Sequence, residues 1–153
     1  MGQTEKQKWA EFNYQADPAT HAIIDTMVNL AVPDPDPGGY DPHQELRRVA
    51  ARDFFLFGTT MVVGPPGTRR LLVRPWEWRI RPEGEAEFLG KVPSTYEGPR
   101  PPVLPPEDFI LLAVEEPLPP PIHEEGEVLG AEPWLAAWAT ASKDLDSFLA
   151  RAA

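Results

Sequence analysis

Residues 41–58, DPHQELRRVAARDFFLFG, run directly into TTMVV at 59–63, and the reading of this stretch decides the fold. Leu46, Ala50, Phe54 and Phe57 recur at helical spacing while Arg47, Arg48 and Arg52 fall largely outside that stripe, which predicts an amphipathic helix. Asp41 ahead of Pro42 is expected to cap it, with Gln44 completing a capping box and Gly58 stopping it. Phe54-Phe55-Leu56-Phe57 cannot all face one way at about 100° per residue, so this last turn is expected to be enclosed on several sides, by a sheet or by another subunit.

Downstream, Thr59 to Val63 and Arg69 to Val73 flank Gly64-Pro65-Pro66-Gly67-Thr68, which predicts a hairpin with a five-residue turn. The same Gly-Pro stretch is no phosphate loop, because it lacks the GK[ST] ending and its prolines remove N–H donors. Trp76 to Arg81 alternates strictly, placing Trp76, Trp78 and Ile80 on one face and Glu77, Arg79 and Arg81 on the other. A turn at Pro82-Glu83-Gly84 then sets Arg81 against Glu85, Arg79 against Glu87 and Trp78 against Phe88. A slip of one residue would put Phe88 against Arg79, so charge and aromatic pairs select the same register. The prediction is an antiparallel meander following the helix. Residues 93–106 read as a proline-rich loop. Phe109 to Val114 reads as a buried strand joining the sheet, and Glu115 to Gly130 as a second polar, proline-rich loop.

Upstream, Glu5 to Gln15 carries Trp9, Phe12 and Tyr14 in a polar background, a short helix or an arm whose aromatics need a surface to lie on. Asp17-Pro18 reads as an N-cap and first helical position for an amphipathic helix to Ala31 with Ile23, Ile24, Met27 and Val28 inward. The Pro-Asp repeat at 33–37 and Gly38-Gly39 make a stiff linker. From Pro133 a final helix is expected, with Trp134, Trp138, Ala141, Leu145, Phe148 and Ala152 at alternating spacings of four and three, a stripe suited to packing on another helix. The organisation is thus an arm, helix and linker over residues 1–40, a helix and β-meander core over 41–130, and a C-terminal interface helix over 131–153.

A chain of 153 residues fits one domain and buries roughly 68–70% of its unfolded surface, enough for a core without staples. The absence of cysteine excludes disulfides, thiol catalysis and cysteine-ligated zinc. A formal charge of -10 argues against gripping duplex DNA through its phosphates, and equally against an anionic membrane. No run approaches the ~18 apolar residues of a spanning helix, and the polar start predicts no leader peptide, so a soluble protein of the cytoplasm, or one assembled there, is expected.

Catalytic constellations are hard to find. His123-Glu124-Glu125-Gly126-Glu127 gathers an imidazole and three carboxylates, but it lacks HExxH spacing and reads as a solvated acidic loop. His21 and His43 lie in different helices with no nucleophile at a telling spacing. The acid pairs Glu107-Asp108 and Glu115-Glu116 bracket one strand roughly 20 Å apart at ~3.3 Å per residue, too far to converge on one substrate. No enzyme activity, cofactor or metal is therefore expected. The unusual feature is aromatic: five tryptophans plus Phe54, Phe55 and Phe57 either make an aromatic core or lie in part at subunit contacts, where Trp and Arg are enriched.

The order of these elements resembles that of tailed-bacteriophage portal proteins. The resemblance runs from Ala50-Ala51-Arg52-Asp53-Phe54-Phe55-Leu56-Phe57-Gly58 through Thr59-Thr60-Met61-Val62-Val63 and Leu71-Leu72-Val73-Arg74-Pro75-Trp76-Glu77-Trp78-Arg79-Ile80 to Phe88-Leu89-Gly90-Lys91-Val92. It resumes at Asp108-Phe109-Ile110-Leu111-Leu112 and at Gly130-Ala131-Glu132-Pro133-Trp134-Leu135-Ala136-Ala137-Trp138, which is similar to the small-residue turn that opens a long helix in that family. It covers about residues 45 to 150 and corresponds to the wing region and the start of the stem. Portals are several times longer, so the clip, second stem helix, tunnel loop and crown have no counterpart. A split portal, a portal-derived fragment and a small virion protein of related fold all remain open.

What the resemblance implies is an α+β structural subunit of the virion: a head-to-tail connector, assembled in the host cytoplasm as a homo-oligomeric ring for DNA packaging and passage. Its implied partners are capsid, terminase and adaptor proteins and, in the split case, a second portal fragment. No sequence-specific nucleic acid and no membrane is implied. The expected fold is two N-terminal helices, an antiparallel sheet of about four or five strands and a C-terminal helix. The expected interface residues are Trp9, Phe12, Trp134, Trp138, Leu145 and Phe148. The alternative is a small acidic phage or bacterial accessory protein that binds and regulates one host protein.

Overall fold

Apolar spacing and capping set the helices of the computed structural model, which describes residues 4–33, 43–65, 70–89 and 103–150. Helix α1 (Glu5–Ala16) opens on a capping box: Thr4 Oγ1 accepts from the Gln7 N–H at 3.1 Å and Gln7 Oε1 accepts from the Thr4 N–H at 2.9 Å. Helix α2 (Pro18–Ala31) is capped by Asp17. Hydrogen bonds from the Thr20 hydroxyl and the Ala19 N–H hold the Asp17 carboxyl below its usual range. Helix α3 (Gln44–Phe57) starts later than expected. His43 occupies the cap position without a side-chain cap bond, and Gln44 Nε2 donates instead to the Pro33 carbonyl at 2.9 Å. Asp41 and Pro42, expected to open this helix, lie outside the described residues. At its other end Gly58 takes φ +78°, and its N–H bonds the Phe54 carbonyl at 2.9 Å.

Next come β1 (Thr59–Val63), β2 (Leu71–Val73), β3 (Trp78–Ile80), β4 (Ala86–Phe88), β5 (Val103–Leu104), β6 (Phe109–Ala113), β7 (Ile122–Glu124), β8 (Glu127–Leu129) and helix α4 (Glu132–Ala150). The fold is α+β, with antiparallel pairing throughout. The strands form two three-stranded sheets, ordered β2-β1-β6 and β3-β4-β5, and a separate β7-β8 hairpin.

The two sheets replace the expected continuous meander, and the break falls at Arg74-Pro75-Trp76-Glu77. Pro75 opens a 3-10 turn that takes Trp76 and Glu77 out of the strand, so β3 begins only at Trp78. The expected register survives. Trp78 faces Phe88, Arg79 faces Glu87, and the Arg81 N–H reaches the Glu85 carbonyl at 2.7 Å. Arg79 bonds Glu87 at 3.0 Å and holds its carboxyl below the usual range, with help from Arg81 at 3.1 Å. Pairing of Val63 with Leu71 lengthens the first hairpin connection beyond the expected five residues. The loop expected over 115–130 contains β7-β8, turning at Glu125 and Gly126, both at positive φ.

Sheet β2-β1-β6 is the middle layer. From one face Val62 and Leu112 join Ile24, Met27, Val28, Phe54, Phe55, Trp138, Leu145 and Phe148 of α2, α3 and α4. From the other, Met61, Val63 and Val73 join Ala86, Phe88 and Leu104 of the second sheet. Burial on both faces explains why β1 is apolar without alternation. Strand β6 follows it only in part: Leu112 is buried, but Leu111 is 39% exposed on the sheet's edge.

Candidate functional site

The six expected interface residues separate in the structure. Trp138, Leu145 and Phe148 are buried in the chain's own core. Trp138 packs edge-on to Phe54 with ring centroids 5.5 Å apart, and Phe148 lies beneath the Arg70 guanidinium at 4.3 Å. Their four-three spacing serves packing on α2, α3 and β6 within one chain, so they present nothing to a neighbour. The same packing encloses Phe54 and Phe55, the turn expected to need covering by a sheet or a subunit. Trp134 is half-buried, and its indole N–H donates to the Pro119 carbonyl at 2.9 Å, which ties α4 to the loop after β6.

Trp9 and Phe12 are the ones left at the surface. They are 65% and 56% exposed, three residues apart on α1, with rings stacked 5.7 Å apart and 21° from parallel. Glu5, Lys6 and Lys8 border them, so a mixed-charge rim surrounds an aromatic centre.

The opposite face of α1 is held by polar contacts and by Tyr14, which packs partly buried against the core, and no residue of α1 is fully buried. Glu11 pairs with Arg74 at 2.8 Å, and the Tyr14 hydroxyl donates to Asp25 at 2.8 Å. His21 stacks on the Tyr14 ring at 4.7 Å and lies 2.7 Å from Asp25. Burial raises the Tyr14 phenol above its ordinary value, and the bond to Asp25 raises it further.

Arg74 links this arm to the interior. Its Nε lies 3.4 Å from Oδ2 of Asp53, which is fully buried, and its guanidinium covers the rings of Trp76 and Phe57 at 4.9 and 5.4 Å. Burial works against the Arg74 charge, but Asp53 and Glu11 outweigh it and raise its pKa. Arg52 also reaches Asp53, at 3.3 Å. The sequence did not single out Glu11, Asp53 or Arg74. Its one available signal was an aspartate directly before the apolar run 54–57, at a position that the helix turns inward.

Other chemistry-bearing candidates remain apart. His123 and Glu124 lie on the exposed hairpin β7, and the pairs Glu107-Asp108 and Glu115-Glu116 stand at opposite ends of β6. Among the described residues no group of three or more His, Asp or Glu side chains gathers as a metal site, and no helix is long and apolar enough to cross a membrane. No family model, no curated protein and no solved structure matches this chain.

Proposed function

We propose that the protein is a structural subunit of a tailed-phage particle, a portal-like head-to-tail connector that assembles as a ring, and that the Trp9–Phe12 face of α1 forms one side of the contact between copies. The observation that carries the contact is the stacked, exposed aromatic pair on a helix none of whose residues is fully buried. Aromatic anchors inside a charged rim are the usual composition of a protein interface. The kind of assembly rests on the resemblance of residues 45–150 to portal proteins, with its partners among capsid, terminase and adaptor proteins.

Magnitudes set the form of assembly. Aromatic side chains bury roughly 150–250 Å² each, so covering the exposed parts of two at about 25 cal/mol per Å² contributes on the order of 5 kcal/mol before losses. Association costs an estimated 4–15 kcal/mol. One such contact is therefore weak by itself, and a ring, in which every subunit makes two, suits it better than a dimer.

Native mass spectrometry and negative-stain microscopy of the full chain test this reading. The expected result is a closed oligomer that Trp9→Ser with Phe12→Ser reduces to monomer without loss of helical signal. A strict monomer at all concentrations, alone and with the other virion proteins, overturns it. Recovery of a single host protein at one-to-one stoichiometry would select the regulatory-accessory reading instead.

A further inference from the structure

Among the described residues, hydrogen bonding along β6 leaves one side of the strand unused. The Gly64 N–H bonds the Asp108 carbonyl at 2.8 Å and the Val114 N–H bonds the Gly58 carbonyl at 3.0 Å, which fixes the phase of the ladder. In an antiparallel pair alternate residues bond the same neighbour, so Ile110 and Leu112 bond β1 while the N–H and C=O groups of Leu111 and Ala113 point to the outer edge. Among the described residues no strand pairs with that edge. Beside it runs a trough of about 300 Å³ between β6 and α4, with Leu111, Ala113, Leu118, Ala137, Thr140 and Ala141 in its walls. The α4 wall is built of small side chains, which leaves room for another backbone.

Charge decides the occupant. Glu115, Glu116 and Asp144 line the trough, and Glu107 is exposed at the far end of β6. A second copy pairing antiparallel about Leu111 would set Glu115 opposite Glu107 at both ends, acid against acid, which destabilises cross-strand pairs. We propose that the outer edge of β6 and the trough beside α4 dock an extended basic segment of another protein, which adds a strand to sheet β2-β1-β6. The segment carries small apolar residues where it faces α4 and Lys or Arg at its ends, meeting the acids that bracket β6. Main-chain bonds supply affinity and the flanking charges supply selection. This surface is separate from the α1 face, and its test has a different readout.

The probe is the peptide Lys-Lys-Val-Ala-Val-Ala-Val-Lys-Lys, compared with the same peptide bearing Glu for each Lys and with a version N-methylated at every Val and Ala. Binding to the full chain is followed by fluorescence anisotropy and amide hydrogen exchange. The expected result is that the basic peptide binds and slows exchange at Leu111 and Ala113. The N-methylated peptide should bind at least about tenfold more weakly, the scale of losing one or two hydrogen bonds, and the acidic peptide at least about tenfold more weakly through repulsion from Glu107, Glu115 and Glu116. Glu115→Lys with Glu116→Lys should reverse the charge preference. Leu111→Pro removes an outward N–H that β1 does not use and should weaken binding by a similar factor. The N-methylated peptide makes the same test without altering the protein. No binding by the basic peptide, equal binding of both charge types, unchanged exchange at Leu111 and Ala113, or self-association through this edge overturns the proposal.

Discussion

Asp108 shows how one carboxylate can work against the fold it sits in. It lies buried in the 3-10 turn just ahead of β6, where its carbonyl accepts from the Gly64 N–H. Burial raises its carboxyl pKa, neighbouring Glu107 raises it further, and Arg70 only partly opposes them. The folded chain therefore holds this proton more tightly than the unfolded chain does. Its contribution to stability is full below the ordinary value of 3.8 and is lost as pH rises through the raised folded value. Asp108→Asn, which carries no charge at any pH, should raise Tm at pH 7. The difference from the parent should close as pH falls below 3.8, and thermal melts across that range check it.

At the scale of elements, the joint between α3 and β1 turns on Gly58. A Cβ placed there would meet Val114 Cγ2 at 3.6 Å, an ordinary contact, so space is not the constraint. The constraint is φ +78°, a left-handed conformation that costs other residues roughly 1–2 kcal/mol. Gly58→Ala should lower the free energy of unfolding by about that amount with an unchanged urea m-value. This joint was legible in the sequence because glycine after an apolar helix has one common physical use. The register of β3 on β4 was legible too, since Arg79, Arg81, Glu85, Glu87, Trp78 and Phe88 all agree on it. Trp76 was not: alternation placed it on a strand, and Pro75, which turns the backbone first, overrode the pattern. The α4 stripe was legible in the spacing from Trp138 to Phe148, with Ala152 outside the described residues, but spacing carries no information on whether its partner is the same chain. The Glu11–Arg74–Asp53 connection joins α1, the link after β2, and α3, and no local pattern points to it.

For the whole molecule, the contrast is between a body packed in three layers and an arm laid on it. The body holds Phe54, Trp138, Leu145 and Phe148 out of water, each buried side chain worth roughly 1.5–3 kcal/mol. The attachments of α1 are fewer: Tyr14 packs at the margin of the core, its hydroxyl bonds Asp25, and Glu11 pairs with Arg74, while no α1 residue is fully buried. Amide exchange should thus be faster throughout α1, none of whose residues is fully buried, than in α3, which buries five. Equal protection of the two helices would contradict this. The chain carries two tiers of stability. The layered body is expected to open only when the protein unfolds, and the arm to open ahead of it, so a protease would meet α1 first.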